Sequence, residues 1–334
     1  RRGEEAQAAL RGALDPGIRC SAGPHFWSLT CMSTLPWVTD FVRTDESAFA
    51  NIPDFPYLPH YTEVAGLRIA FIDEGPREAP VVLLMHGEPT WSFLYRKMIP
   101  VLLQAGFRVV APDLVGFGRS DKPTRKGDYS YRHHVQWMSA WLQANDLTSI
   151  TLFCQDWGSL IGLRMVAEMP DRFARIALSN GGLPTGKEKI PKAFHIWRAF
   201  AMYSPWFPIG KIVRFGCAQG LSDEAVAAYD APYPNSRYKV GARVFPTLVP
   251  IDPSDPAREA NERAWDMYKA WTKPFITLFA TRDPVTKGGE RMWQKLVPGA
   301  ANQNHTKIRG AGHFVQEDKG EEVAQALVKF IQST

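Results

Sequence analysis

The stretch Cys154-Gln155-Asp156-Trp157-Gly158 decides the fold. It follows an apolar run at 150–154 and opens a helical pattern over 159–168. Small residues, Cys154 and Gly158, stand two positions either side of Asp156. A sharp strand-to-helix turn leaves no room for bulk at those two positions and holds its central side chain out for reaction. Here that side chain is a carboxylate. Read alone, the pentapeptide also suits Asp156 as a helix N-cap, its oxygen accepting backbone N–H groups of the first turn.

Outward from this turn, strand and helix alternate. Residues 67–72 read as a strand, and Glu74-Gly75 ends them. The continuous apolar run at 81–85 predicts a strand buried on both faces, and the largely apolar stretches at 107–111, 150–154, 176–179 and 275–280 predict further strands. A last strand is expected at 305–309, and helices at 91–103, 129–145, 159–168, 289–296 and 317–332. This spacing predicts a parallel sheet flanked by helices, the α/β class. The alternation breaks at 184–265, which is rich in Pro, Tyr, Phe and Trp and holds short helical stretches such as 222–229. That segment is expected to be a helical cap inserted into a core made of 32–183 and 266–334. Residues 1–31 read as a disordered or non-native extension, since the chain begins with Arg1 and the first methionine is Met32.

Composition narrows the function. The chain of 334 residues is 45% hydrophobic and 22% charged, the balance of a globular protein with a sizeable core. The formal charge of +5 is spread among carboxylates; even the densest basic stretch, Lys187, Lys189 and Lys192, encloses Glu188. No basic stripe emerges, so no nucleic-acid partner is expected. No apolar run reaches the roughly 18 residues of a membrane span, and no membrane partner is expected. Cys20, Cys31, Cys154 and Cys217 form no CxxC or metal-type spacing, which fits a reducing, cytoplasmic compartment without a metal site.

Two more segments bear on Asp156. Met85-His86-Gly87-Glu88-Pro89-Thr90-Trp91 directly follows a buried strand. A loop there can offer backbone N–H groups to an oxyanion: Glu88 would give one and Trp157 the other. Pro89 suits a cis peptide bond. His86 precedes the loop and is read as structural. Gly310-Ala311-Gly312-His313-Phe314 follows the last strand, and its small residues let His313 reach the nucleophile as general base. Asp283, just after the strand 275–280, would orient that histidine and hold its tautomer. Asn180 ends the preceding core strand but cannot supply the charge. The order nucleophile, acid, histidine follows.

With these motifs on the page, the chain resembles the haloalkane dehalogenases. Within them it resembles the subfamily with Glu in the oxyanion loop and its acid after the penultimate strand. The resemblance covers about residues 33–332 and rests on 86–92, 111–123, 155–158 and 311–317. It implies an α/β-hydrolase core with a mostly parallel eight-stranded sheet and a helical cap. It also implies small apolar halogenated substrates, no cofactor, and a monomer or weak dimer. A carboxylate attacking an sp³ carbon gives an alkyl-enzyme ester and expels the leaving group. A departing halide needs donors in a dry pocket, and indole N–H donates without accepting. By resemblance Trp157 is one such donor. The second comes from the cap, where Trp197 is preferred over Trp206. Phe194 and Phe245 are expected to line the pocket.

Other readings remain possible. An epoxide hydrolase shares the Asp–His–Asp plan and would need a cap tyrosine, among Tyr203, Tyr229, Tyr233 and Tyr238, to donate to the ring oxygen. Glu88 and Trp197 argue against it. A fluoroacetate dehalogenase would need an Arg after Asp156 to hold a carboxylate. A non-catalytic ligand sensor is disfavoured because all three triad positions are filled.

Overall fold

Val81–Met85 buries five consecutive residues, and such a run is satisfied only in the middle of a sheet covered on both faces. The computed structural model, which describes residues 38–334, places it there. The expectations for residues 1–31, and for Cys20 and Cys31, fall outside the described residues. Among the described residues the main sheet has eight strands: β1 (His60–Val64), β2 (Leu67–Glu74), β3 (Val81–Met85), β4 (Arg108–Pro112), β5 (Ile150–Gln155), β6 (Phe173–Ser179), β7 (Phe275–Ala280) and β8 (Thr306–Ile308); Phe41–Val42 and Lys122–Pro123 pair separately. The eight lie in the order β8-β7-β6-β5-β3-β4-β2-β1. Pairing is parallel from β8 to β4 and antiparallel at β2 and β1. The fold is thus the expected α/β hydrolase sheet. β1 carried no apolar signal because it is an edge strand whose residues are mostly in contact with water.

The helices are α1 (Ile99–Gln104), α2 (Tyr131–Ala144), α3 (Trp157–Glu168), α4 (Lys192–Tyr203), α5 (Ile209–Gly216), α6 (Asp223–Asp230), α7 (Val240–Val244), α8 (Arg258–Lys269), α9 (Glu290–Leu296) and α10 (Val315–Gln332). The helix expected over 91–103 is instead a 3-10 turn at Ser92–Tyr95 followed by α1. Pro100 explains the break, since it lacks an N–H and its ring would strike the carbonyl of Arg96; it fits only in the first turn of a new helix.

Helices α4 to α8 fill the segment between β6 and β7. The boundary expected at 265 falls inside α8. Asn261, Ala264, Trp265 and Tyr268 recur there on one buried face. That face lies on α3: Tyr268 Oη donates to Leu163 O at 2.7 Å and Arg164 Nη1 to Asn261 Oδ1 at 3.1 Å.

One buried carboxylate ties α6 to α10 and to the segment before α1. Glu317, in the first turn of α10, accepts from Arg96 Nη1 and, at 2.8 Å, from Arg96 Nη2, and also takes the hydroxyl of Tyr229 from α6. Both members of the ion pair are buried. Removing one partner strands the other charge away from water. Glu317→Ala is therefore expected to lower unfolding stability by about 3–5 kcal/mol, read from the urea midpoint.

Candidate active site

β5 ends at Gln155 and α3 begins at Trp157, so Asp156 alone makes the turn. Its φ of 49° and ψ of −129° lie where side-chain-bearing residues are uncommon. The surroundings dictate this conformation. Asp156 N donates to Asn180 O at 3.0 Å, and Ser159 N to Asp156 O at 2.9 Å. A Cβ on Gly158 would come within 1.9 Å of Met85 O, so only glycine fits against the end of β3. Although Asp156 holds the N-cap position of α3, its side chain makes no capping bond. The carboxylate points elsewhere.

Its Oδ1 accepts the backbone N–H of Glu88 at 2.7 Å. Oδ2 lies 3.4 Å from His313 Nε2. On the other side of the imidazole, Nδ1 lies 3.1 Å from Asp283 Oδ2. Asp283 is fully buried and also accepts Val285 N at 2.9 Å and the Thr286 hydroxyl. Asp156 keeps 24% of its side chain accessible and His313 13%. The three side chains expected from the sequence therefore stand in one row. Of the two backbone donors expected, Glu88 is in place; Trp157 N–H makes no bond to the Asp156 side chain among the described residues. The Glu88–Pro89 bond is cis.

The charges are set by this packing. Burial would raise the Asp283 carboxyl, but the His313 imidazole and the Thr286 and Val285 donors hold it at about 2. Burial would lower His313, but the Asp283 carboxylate and the neighbouring Asp156 outweigh it and hold the imidazolium well above its ordinary range. Burial, with help from Asp156, pushes the Glu88 carboxyl well up, which favours its neutral form beside Asp156. His86 has the structural role expected. Nδ1–H donates to Gly87 O at 2.9 Å, and Nε2 accepts Leu114 N at 2.9 Å.

Trp157 is buried, and its ring is clamped by Phe245 at 4.6 Å and Tyr131 at 5.4 Å between centroids. Phe245 also meets Phe117 and His134. Trp197 is half-buried on α4 and stacks on Phe200 and Phe207. Trp91 and Trp265 donate their indole N–H to Ala228 O and Leu183 O, whereas Trp157 and Trp197 make no such bond among the described residues. Trp206 is 60% exposed under Lys211. The structure thus brings Phe245 onto Trp157, whereas among the described residues Phe194 has no aromatic neighbour except His195 of its own helix.

Several residues of the site escaped sequence reading. Asn180 Nδ2 donates to Gly312 O at 3.0 Å and His313 O at 2.8 Å, and Oδ1 accepts Ala280 N at 2.8 Å. It pins the Asp156 turn, the end of β7 and the His313 loop to one point. Gln155 Nε2 lies 3.2 Å from His313 Nε2 and from His313 O. The one available signal was the placement of two amides at strand ends flanking the elbow.

This arrangement, a carboxylate on a strand-to-helix turn facing a histidine and a second buried carboxylate, defines an α/β hydrolase. Residues 80–208 match the family model for the alpha/beta hydrolase fold. More specifically, the chain belongs to the haloalkane dehalogenases. It is 55% identical to the haloalkane dehalogenase of Psychrobacter cryohalolentis over 295 residues, covering 87% of this chain and 97% of that protein. It is 51% identical to that of Mycobacterium marinum over 296 residues, covering 87% and 99%. The structure is similar to that of a haloalkane dehalogenase of Paraglaciecola agarilytica NO2, with a TM-score of 0.81 at 38% identity over 86% of this chain and 97% of the other.

Proposed function

We propose that this protein hydrolyses haloalkanes to an alcohol and halide through a covalent ester at Asp156. The observation that carries the reading is the position of Asp156: one oxygen held by Glu88 N–H, the other open beside His313. Asp156 Oδ2 attacks the carbon bearing the halogen; the carbon–halogen bond breaks and its electron pair leaves with the halide. The indole N–H groups of Trp157 and Trp197 receive that anion. Trp197 is preferred to Trp206 because it lies within the cap's aromatic stack rather than in water. Phe245, behind Trp157, keeps the pocket dry; Phe194 is the less supported lining residue. The helices between β6 and α8 act as the cap over this pocket.

Esterification removes the Asp156 charge. That charge was one of the causes raising His313, so its loss lowers the imidazole; His313 releases its proton to solvent and is left neutral, able to accept one from water. His313 Nε2 takes a proton from water, which attacks the ester carbonyl. The negative charge then falls on Oδ1, facing Glu88 N–H and, with Trp157 N–H as the second proposed donor, a two-point oxyanion hole. Collapse returns the proton to the departing alkoxide, and the alcohol leaves with Oδ2.

The test of activity is bromide release from 1-bromobutane and 1,2-dibromoethane, with styrene oxide in parallel. Diol formation without bromide would overturn it. The epoxide alternative has little support among the cap tyrosines. Tyr203 is 78% exposed and Tyr229 is bound to Glu317, although Tyr233 has a buried hydroxyl without a partner among the described residues. Trp157→Phe keeps the ring and removes the donor. It is expected to slow halide expulsion by about 10²-fold, read from the halide burst under single-turnover conditions.

Cytoplasmic residence belongs to the same reading, supported by free thiols at Cys154 and Cys217. Among the described residues, no helix is long and apolar enough to cross a membrane. Assembly is read as monomer or weak dimer. The Paraglaciecola relative is described as a tetramer, and light scattering distinguishes the two.

A further inference from the structure

His313 stands on a loop that is joined to the cap as well as to the core. Its backbone N–H donates to Gly216 O, the last residue of α5, at 2.8 Å. Five residues further on, the carboxylate of Asp318 gathers three more backbone donors. Oδ2 accepts Gly312 N at 2.7 Å and Ala218 N at 2.8 Å; Oδ1 accepts Gln219 N at 2.8 Å. One of these donors precedes the histidine, and two belong to the cap segment leaving α5. The two backbones touch. A Cβ on Gly312 would lie 2.5 Å from Gly216 O, and a Cβ on Gly216 would lie 2.5 Å from the Phe314 ring. Asp318 itself is buried in the first turn of α10, next to Glu317 and its ion pair with Arg96.

A carboxylate is acceptor-only, and three backbone N–H groups suit it. An amide of the same shape keeps one oxygen and turns an NH₂ towards at least one donor. The interlock therefore depends on the charge of Asp318, not only on its volume.

We propose that Asp318 is a positioning residue for His313, which locks the histidine loop and cap segment 216–219 into one body so that the imidazole faces Asp156 only while the cap is seated. This rests on the reading of His313 as the base. Asp156, Glu88 and Trp157 stand on other elements, and Trp197 lies on α4, outside the locked segment 216–219, so ester formation does not pass through this lock, whereas ester hydrolysis does.

The experiment is stopped-flow halide release with intact-protein mass spectrometry on the wild type, Asp318→Asn and His313→Phe, all checked for native circular dichroism. Asp318→Asn is expected to keep the halide burst rate and to slow ester hydrolysis about tenfold to a hundredfold, as a displacement of the base by about 1 Å would. Ester then accumulates during turnover, and the acid limb of the hydrolysis pH profile moves. Equal slowing of burst and hydrolysis, or no slowing, overturns the proposal. Should Asp318→Asn not fold, Gly312→Ala leaves the carboxylate and forces the two backbones apart, with the same split expected. If His313→Phe hydrolyses its ester at the wild-type rate, the base assignment fails. That outcome is distinct from a wild-type-like Asp318→Asn beside an ester-trapped His313→Phe, which sinks the lock alone.

Discussion

His313→Phe is expected to release a single equivalent of halide and then stop, with the alkyl group retained on the protein. Phenylalanine fills the imidazole's place but takes no proton. Attack by Asp156 on carbon needs no base, because the halide leaves unprotonated. Hydrolysis does need one, because neutral water must lose a proton as it meets the ester carbonyl. Turnover should therefore fall by at least about 10⁴-fold while the burst persists. Intact mass should rise by the alkyl group, and peptide mapping should place it on Asp156. A folded variant that turns over without any adduct would remove His313 from the base role.

Asp283→Asn is the second large effect. Asp283 is fully buried and accepts from three partners: Val285 N, Thr286 Oγ1 and His313 Nδ1. An asparagine can present its oxygen to some of them only by turning its NH₂ towards another. If the NH₂ faces Nδ1, the imidazole carries its proton on Nε2, where it can no longer accept one from water. The expected loss in turnover is about 10⁴-fold, the scale of a triad whose tautomer is inverted. Stability changes as well. The folded carboxyl titrates at about 2 against an ordinary 3.8. A depressed carboxyl stabilises the fold above its unfolded value and loses that contribution as pH falls through the folded one. The contribution is about 2 kcal/mol, present above about pH 4 and gone below about pH 2. His313 acts in the opposite sense. Its raised value stabilises the fold below the ordinary imidazole range and is lost as pH rises through the folded value. Wild type and Asp283→Asn should thus differ most in urea midpoint at mildly acidic to neutral pH and converge near pH 2.

The parts of this molecule that were legible in the sequence are those in which local pattern and chemistry coincide. Buried strands such as Val81–Met85 announce themselves by unbroken apolar runs, and the elbow by the small residues its turn demands. His86 was legible as structural from its place before the oxyanion loop. What stayed hidden depends on contacts between distant segments. Asn180 was read only as an acid that is missing, yet its amide joins residues a hundred or more positions away. Asp318 was an ordinary first-turn carboxylate until the cap segment folded onto it. The helix expected over 91–103 rests on apolar period alone and takes no account of Pro100. Phe194 and Phe245 were indistinguishable as cap aromatics, and only tertiary packing puts Phe245 on Trp157.

The central claim is that Asp156 itself forms the bond to carbon. A single turnover of a bromoalkane in oxygen-18 water tests it most directly. If Asp156 attacks, water enters at the ester carbonyl, so the first alcohol released carries ordinary oxygen and the peptide holding Asp156 gains one heavy oxygen. An alcohol labelled in that first turnover, beside an unlabelled Asp156, would mean that water attacks carbon directly and would contradict the account.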